Sequence, residues 1–321
     1  MLYLNDEHIR ELGWDWSRLA DLIEEAVRTM DAGGSAAPLK GYLRFPGTPN
    51  RIIATPAYLG GSTELAGIKW IAGFPGNPQR GLPRARNLIA LNDPSTGEPL
   101  AVLRSDRLNG LRAAAVSGAM LRWYAELRPA SGGGFTVGII GWGPIGRLHL
   151  DMAAALLGPR LERVLLHDVR GIAEDSIPPE LLGRVEATTD WRELYRQSDV
   201  TATCTVAPSR YIDEPPPQGA LLLHVSLRDY EPHSVAGLRT FVDDWSQVCR
   251  EDTDIERLHA AGLLAEPDAL TLADAVCRDA LAPLAGETIF FNPMGLGIFD
   301  LALAGDFYRR ALAEGLGVGL D

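Results

Sequence analysis

The sequence has few cysteines and little positive charge. It holds three cysteines in 321 residues, with no CxxC pair and no neighbouring cluster of histidines. That usage argues against a disulfide framework and a zinc site, and it is typical of reduced thiols in a cytoplasmic protein. The formal net charge is −12, which argues against nucleic-acid and anionic-membrane partners because both require a basic surface.

The sequence also lacks long apolar runs. No uninterrupted apolar stretch reaches the length of a membrane span, and the first residues carry acids where a signal peptide would have basic residues and an apolar core. These features predict a cytoplasmic protein without a membrane segment. The hydrophobic content of 46% is ordinary for a globular protein, and the length allows two domains.

The most informative feature present is a dinucleotide-binding pattern. An apolar, strand-like run over residues 136–140 leads into GWGPIG and then a helical pattern, and a second apolar run ends on an acid, Asp168. A GxGxxG motif alone is weak evidence. Here it follows a strand, opens a helix and lies about twenty residues before the acid, which is the full context of the dinucleotide fingerprint. The pattern therefore predicts NAD as the cofactor.

Each residue of the glycine motif has a predicted role. Gly141 permits the tight turn, Gly143 lets the backbone approach a pyrophosphate, and Gly146 lets the helix pack closely on the strand. Pro144 and Ile145 complete the predicted cofactor-binding turn. The helix that follows presents N–H groups and a partial positive charge to the phosphates. The alternative is an ordinary βαβ unit in which the glycines serve packing alone.

The residues around the acid refine the prediction. Asp168 is expected to accept hydrogen bonds from the adenosine ribose hydroxyls and to repel a 2′-phosphate, which favours NAD over NADP. Arg170 lies close enough in sequence to weaken that preference. Trp142 is an unusual residue for its position, and its side chain is expected to face outward.

The wider pattern predicts an α/β protein with two domains. Residues 16–30 form an amphipathic helical pattern, residues 87–103 a hairpin, and residues 106–127 a long helix. Strands with turns are predicted between the first of these helices and the hairpin. After Asp168, strands alternate with helices, which is typical of a Rossmann-type, doubly wound parallel sheet.

The predicted domains are discontinuous. A substrate-binding and dimerisation domain with α+β structure is assigned to residues 1–116 and is completed by residues 297–321, whose helix is expected to return to it. The Rossmann NAD-binding domain is assigned to residues 117–296. A glycine-rich joint, SGGGF at residues 131–135, precedes the fingerprint strand.

Three basic residues stand out in the first domain. Lys69 interrupts the apolar strand LAGIKWIAG, so it is either an edge residue with a snorkelling stem or a functional amine in a cleft. Arg112 lies in a helical segment of small residues, as a salt-bridged residue or as a ligand clamp. Arg44 lies in GYLRFPG, where most arginines are merely solvated.

One acid follows a buried strand of the second domain. Asp229 comes after ALLLHVSL, at the carboxyl end of a strand where open α/β sheets bind ligands. It is a candidate base or ammonium ligand, and the alternative is a capping or turn aspartate. His224 and Ser226 have no nucleophile-elbow context, and His224 is expected to be structural.

Several segments resemble the ornithine cyclodeaminase/μ-crystallin family over nearly the whole chain. They are GIKW with a later NP, LRAAAVSG, GWGPIG, TATCTV and HVSLRD. Within that family, PLKGYLR, VDDWSQ and NPMGLGI are most similar to the N-(2-amino-2-carboxyethyl)-L-glutamate dehydrogenases, which make 2,3-diaminopropionate for staphyloferrin B-type siderophores and other natural products. Many relatives have Glu-Asp where this chain has Phe299 and Asp300, which argues against a simple transfer of cyclodeaminase activity.

The resemblance implies roles for the singled-out residues. Lys69, Arg112 and Arg44 would face the substrate, Arg112 would also lie at the cofactor, and Asp229 would be the catalytic carboxylate with Lys69 as a second catalytic group. It also implies a homodimer and no metal.

The expected reaction is NAD-dependent oxidation and hydrolysis of N-(2-amino-2-carboxyethyl)-L-glutamate to 2-oxoglutarate and L-2,3-diaminopropionate. The alternatives are an ornithine or lysine cyclodeaminase that uses NAD catalytically, a ketimine reductase, and a non-catalytic binding protein of the μ-crystallin kind.

Overall fold

The computed structural model describes residues 1–128 and 133–321. It divides into two compact units, one built from Met1–Arg112 with Gly295–Asp321 and the other from Ala113–Met294. The last residues of the chain thus belong to the same compact unit as its N-terminal part. The predicted glycine joint includes residues 131 and 132, which lie outside the described residues.

The regular elements of the described residues follow in chain order. The strands are β1 Leu2–Asn5, β2 Ser35–Ala36, β3 Gly41–Arg44, β4 Arg51–Leu59, β5 Leu65–Gly73, β6 Ala85–Asn92, β7 Pro99–Arg104, β8 Phe135–Ile140, β9 Leu161–His167, β10 Val185–Ala187, β11 Val200–Thr203, β12 Leu221–His224, β13 Arg239–Val242, β14 Leu270–Thr271, β15 Ile289–Asn292 and β16 Val318–Gly319. The helices are α1 Asp6–Leu12, α2 Trp16–Asp31, α3 Asp106–Glu126, α4 Pro144–Leu157, α5 Trp191–Gln197, α6 Pro232–Val235, α7 Trp245–Val248, α8 Asp254–Ala260, α9 Leu272–Arg278 and α10 Gly297–Glu314.

The first unit is a mostly antiparallel sheet covered on one face by helices. Its strand order is β16-β1-β7-β6-β5-β4-β2, with β3 also paired to β4. Helix α10 packs on β4, β5 and β6 and also contacts α2. The predicted hairpin is confirmed as β6 and β7, and the predicted helix over residues 16–30 is confirmed as α2.

A glycine on the central strand permits this close packing. A Cβ atom added to Gly67 would lie 2.3 Å from the carbonyl oxygen of Ala90 and 2.9 Å from Cδ2 of Leu301. Any larger residue would therefore push β5 away from both its partner strand and α10. The strand that carries Lys69 is thus held tightly against the final helix.

The opposite face of this sheet is apolar and partly exposed. Trp70 lies directly across from Leu88, and Leu43 lies across from Ile52. The exposed fractions are 42% for Trp70, 36% for Leu88 and 52% for Leu43. An exposed apolar face of this kind is typical of a protein interface.

The second unit is a parallel sheet of the Rossmann type. Its strand order is β10-β9-β8-β11-β12-β15-β13-β14, and each strand runs parallel to its neighbours. The predicted doubly wound sheet is confirmed. β11 and β12 are shorter than the apolar runs that predicted them. At the carboxyl end of each strand the backbone leaves the sheet and enters a loop of the candidate site.

No helix in the two described stretches of chain is long and apolar enough to cross a membrane.

Candidate active site

The glycine motif forms a tight turn between β8 and α4. Gly141 has a φ of +99°, and a Cβ atom there would lie 2.7 Å from the carbonyl oxygen of Cys204. A Cβ atom on Gly146 would lie 2.1 Å from the carbonyl oxygen of Gly141. These two positions therefore require glycine, as the fingerprint predicts.

The cap of α4 is open to a ligand. Gly143 is the N-cap residue, and no atom lies within 4 Å of a Cβ built on it. Because glycine has no capping side chain, no side chain of the N-cap residue competes with phosphate oxygens for the N–H groups of the first turn. Pro144 at the first helical position lacks an N–H group. The turn fits a dinucleotide pyrophosphate.

Asp168 lies directly after β9 and is held by two neighbouring residues. Its Oδ1 accepts hydrogen bonds from the Arg170 backbone N–H at 2.9 Å and from Nε at 3.0 Å. Its Oδ2 accepts the Trp142 backbone N–H at 2.9 Å and Arg170 Nη2 at 3.1 Å. The Arg170 side chain is the main cause that lowers the pKa of Asp168 to about 2.

The expectation that Trp142 faces outward is wrong. Its side chain is only 5% exposed, and its Nε1 donates a hydrogen bond of 2.7 Å to Ser176 Oγ. The indole packs beneath the segment that follows β9, and the Arg147 guanidinium lies 5.7 Å from its ring centroid. The backbone N–H of Trp142 and its ring thus connect the glycine turn to the residues after Asp168.

Asp229 lies in the loop after β12 and is almost completely buried, with 1% exposure. Thr205 Oγ1 donates to its Oδ1 at 2.6 Å, and Ser226 Oγ donates to its Oδ2. Its backbone oxygen accepts the N–H groups of Tyr211 and Ile212 at 2.9 and 2.8 Å. The two hydroxyls orient the carboxylate as an acid–base group requires.

A second buried carboxylate holds the backbone of this loop. Oδ2 of Asp254 accepts the N–H groups of Asp229 at 3.1 Å and Tyr230 at 2.9 Å, and Oδ1 accepts Arg210 Nε at 2.6 Å. Burial raises the pKa of Asp254, and its interactions with His224 and Arg210 oppose that rise. His224 is fully buried beside Asp254, with Nε2 at 3.2 Å from Oδ2. Sequence reasoning missed Asp254, since acids near a helix start are common caps.

The first unit contains a buried cationic cluster. Lys69 is 5% exposed, and its Nζ lies 2.6 Å from Oδ2 of Asp300 on α10. Arg112 Nε lies 3.2 Å from Oδ1 of the same carboxylate. Asn109 Oδ1 accepts from Lys69 at 3.4 Å and from Arg112 at 3.5 Å. The structure thus brings together two of the predicted basic residues.

The charges in this cluster do not balance. Lys69 and Arg112 share the carboxylate of Asp300, which leaves one formal positive charge on these three side chains. Burial lowers the pKa of Lys69 to about 8, against the attraction of Asp300, and Arg112 lowers it further. Burial opposes ionisation of Asp300, but its ion pairs with Lys69 and Arg112 prevail and hold its pKa below the usual value. A bound carboxylate would balance the remaining charge.

The sequence analysis missed two members of this region. The sequence analysis named Asp300 only beside Phe299, the residue that departs from the family pattern, although an acid inside the apolar run IFDLALAG is itself a signal of burial with a partner. Lys40, just before β3, is a third cation whose charge lowers the pKa of Asp300. Arg44 is exposed on β3, with Cζ 5.0 Å from the ring centroid of Tyr42. Its role in substrate binding stays a prediction.

The sequence matches a family model over residues 7–224, described as the ornithine cyclodeaminase/mu-crystallin family. The chain belongs to this family. One relative of this chain is N-((2S)-2-amino-2-carboxyethyl)-L-glutamate dehydrogenase from Staphylococcus aureus. It is 32% identical over an alignment that covers 100% of this chain and 98% of the relative.

Solved structures agree with the family fold over the full length. An archaeal alanine dehydrogenase dimer with bound NAD has a TM-score of 0.81 and 25% identity, with 100% of this chain and 99% of that chain covered. The Thermococcus litoralis Delta(1)-pyrroline-2-carboxylate reductase, in complex with NADH and L-proline, has a TM-score of 0.84 and 24% identity, with both chains fully covered. The second of these likenesses shows the fold alone.

Proposed function

We propose that this chain is an NAD-dependent oxidoreductase that oxidises and hydrolyses N-(2-amino-2-carboxyethyl)-L-glutamate, for siderophore or natural-product biosynthesis. The products are 2-oxoglutarate and L-2,3-diaminopropionate. The observation that carries the proposal is the full-length, 32% identity to the Staphylococcus aureus dehydrogenase of this substrate. The charge of the buried cluster supports it, since the substrate is rich in carboxylates.

The glycine turn and Asp168 are the residues that would hold the cofactor. The pyrophosphate would lie at the open cap of α4, and Asp168 would face the adenosine ribose. When bound, NAD accepts a hydride from the substrate. Two observations support this cofactor site. In this chain, a Cβ atom at Gly141 or Gly146 would collide with backbone, and the similar alanine dehydrogenase structure contains NAD.

The cationic cluster is proposed to bind a substrate carboxylate. Lys69 and Arg112 are oriented by Asp300 and Asn109 before any ligand arrives, so little side-chain entropy is lost on binding. The guanidinium of Arg112 donates bidentate hydrogen bonds to a carboxylate, which fixes its plane. Binding of one carboxylate removes the net positive charge of the cluster.

Asp229 is proposed to take the proton of the substrate amine. As the hydride leaves the glutamyl Cα, the nitrogen loses its proton to Asp229 and a C=N bond forms. Water then adds to Cα, oriented by the same carboxylate. The C–N bond breaks with return of a proton to nitrogen, which releases diaminopropionate and leaves the oxygen of water in 2-oxoglutarate. Thr205 and Ser226 hold the two oxygens of Asp229 in place throughout.

We further propose that the chain works as a homodimer in the cytoplasm. The exposed apolar face at Leu43, Trp70 and Leu88 supports self-association, as does the alanine dehydrogenase dimer. No disulfide joins Cys204, Cys249 and Cys277 in the described residues, which is typical of a reducing compartment.

The test is a product assay with NAD. Purified protein is incubated with NAD and N-(2-amino-2-carboxyethyl)-L-glutamate, NADH is followed by absorbance, and products are identified by mass spectrometry. NADH formed in equal amount to 2-oxoglutarate is expected. Asp229→Asn should lower kcat by about 100-fold or more with unchanged NADH affinity.

Other results would contradict the proposal in different ways. Ornithine or lysine converted to proline or pipecolate, with ammonia but without accumulated NADH, would identify a cyclodeaminase. NADH-dependent reduction of a cyclic imine with no oxidation of the conjugate would identify a ketimine reductase. NAD binding without turnover of any of these amines would identify a non-catalytic binding protein.

A further inference from the structure

The acceptor positions of Asp168 are already filled by the protein. An ionised carboxylate offers about four lone-pair positions. In this structure they receive four N–H donors, one from the Trp142 backbone and three from Arg170. The hydroxyls of an NAD ribose would need positions that the Arg170 side chain now occupies.

The local backbone places this arginine where it is. The N–H of Gly171 donates to the carbonyl oxygen of Asp168 at 2.9 Å, which closes a turn over residues 168–171, and Gly171 has a φ of +79°. The turn directs the Arg170 side chain back across the carboxylate. The guanidinium nevertheless remains accessible, because the Arg170 side chain is 76% exposed.

We propose that Arg170 makes NADP(H) a second cofactor of this chain, because its guanidinium competes with the ribose hydroxyls of NAD for Asp168 and pairs with the 2′-phosphate of NADP. The inference rests on the proposed binding of a dinucleotide at the glycine turn. It departs from the preference for NAD alone that the acid by itself predicts.

Charge is the physical reason. A lone carboxylate after the second strand of a Rossmann unit, here β9, repels a 2′-phosphate, and that repulsion is the usual source of selectivity for NAD. Here the pKa of Asp168 is about 2, so the carboxylate stays ionised at every working pH and protonation gives no relief. Arg170 supplies the relief, since its fork of donors neutralises Asp168 and matches a phosphate equally well.

The two cofactors make opposite demands on the same side chain. With NAD, the guanidinium must give up at least one of its hydrogen bonds to Asp168 so that the ribose hydroxyls can reach the carboxylate. With NADP, it can rotate about its exposed stem and bind the phosphate while its backbone N–H stays on Asp168. Removal of the side chain should therefore affect the two cofactors in opposite directions.

The experiment compares cofactor affinity in Arg170→Leu and the wild-type protein. Arg163→Leu is the matched control, because Arg163 lies near the amino end of β9, the strand that precedes Arg170, and pairs with Glu186 and Gln197. NADH and NADPH are titrated by calorimetry, with no substrate present. In Arg170→Leu the Kd for NADPH should rise by about 10- to 100-fold, the loss expected for charge-assisted hydrogen bonds. The Kd for NADH should stay equal or fall, and Arg163→Leu should resemble the wild type.

The outcomes separate this proposal from the one it rests on. If the wild type binds NADH but not NADPH, or if Arg170→Leu leaves the ratio of the two Kd values unchanged, the role of Arg170 is overturned while NAD dependence stands. If the wild type binds neither dinucleotide, both proposals fall. A ratio that shifts toward NADH in Arg170→Leu alone supports the assignment. The NADPH affinity of the wild type should also weaken more steeply with added salt than the NADH affinity.

Discussion

Lys69 is a buried residue whose surroundings disfavour its charge more than its ion pair with Asp300 favours it. Burial and Arg112 lower its pKa, whereas Asp300 raises it, and the balance is about 8. Between pH 8 and the ordinary value of 10.5 the unfolded chain binds more protons at this residue than the folded chain. The contribution of Lys69 to the free energy of unfolding therefore rises with pH in that window. Its capacity to bind an anion falls in the same window.

Substrate affinity should accordingly depend on pH. As pH rises through about 8, Lys69 loses its proton and kcat/KM for the amino-acid substrate should fall, mainly through a higher KM. Asp300→Asn removes the carboxylate that raises the pKa of Lys69, so the fall should begin at lower pH. The measurement is the pH profile of KM and kcat.

Asp306→Asn is the control for this change. Asp306 is a second buried acid of α10, but it pairs with Arg18. An unshifted alkaline limb in Asp300→Asn, or an equal shift in Asp306→Asn, would show that the limb does not belong to Lys69.

At the scale of elements, helix α8 holds the loop that carries Asp229. The first residue of the helix, Asp254, is 0% exposed and accepts two backbone N–H groups of that loop. Arg210 compensates its charge from the other side. We therefore regard Asp254 as a positioning residue, which acts on the reaction through the backbone of Asp229.

Asp254→Asn should lower kcat with little change in the affinity for NADH. An amide cannot both accept the two N–H groups and face the Arg210 guanidinium without opposing a donor to a donor, so the loop should shift. A shift of about 1 Å costs about 100-fold in rate. The measurement is kcat per NADH-binding site, so that unfolded protein is not counted.

Asp252→Asn is the matched control for the same helix end. Asp252 lies two residues earlier, is 53% exposed at its side chain and pairs with Arg257. Equal losses of kcat in the two variants would mean that charge near the helix, and not the anchoring of the loop, is responsible.

The elements that sequence reasoning recovered are those with a local signal. The glycine turn, the hairpin and the alternation of strands and helices can all be predicted from short runs of neighbouring residues. Asp300 and Lys69 lie far apart in sequence, and their ion pair forms across the contact of α10 with β5, which Gly67 permits. Trp142 is a second example. It lies inside the glycine motif, but its side chain is buried against Ser176, a residue outside the motif. Long-range packing decides both cases.

At the scale of the whole molecule, the first unit presents its sheet with one face covered and the other apolar. Helices α2 and α10 cover the first face. Trp70 and Leu88 lie side by side on the second. A monomer rarely keeps such a face in water, which is why we propose that two copies of the chain meet there.

Trp70→Glu should shift the protein from dimer to monomer. A carboxylate placed among apolar side chains loses its hydration on association without gaining a partner. Size-exclusion chromatography with light scattering measures the mass. Leu263→Glu is the control, because Leu263 is 46% exposed in the second unit and not on this sheet. A dimer that persists in Trp70→Glu, or dissociates equally in Leu263→Glu, would contradict the assignment of the face.

The division of the first unit between two parts of the chain has a consequence for synthesis. Strands β1 to β7 are made early, but α10, which covers them and supplies Asp300, belongs to residues that follow the second unit. On the ribosome, the early sheet therefore emerges before α10 has been made, and the part of its buried face that α10 covers stays open until then. The first unit therefore cannot be completed before the second has been synthesised, and Lys69 meets Asp300 only after that.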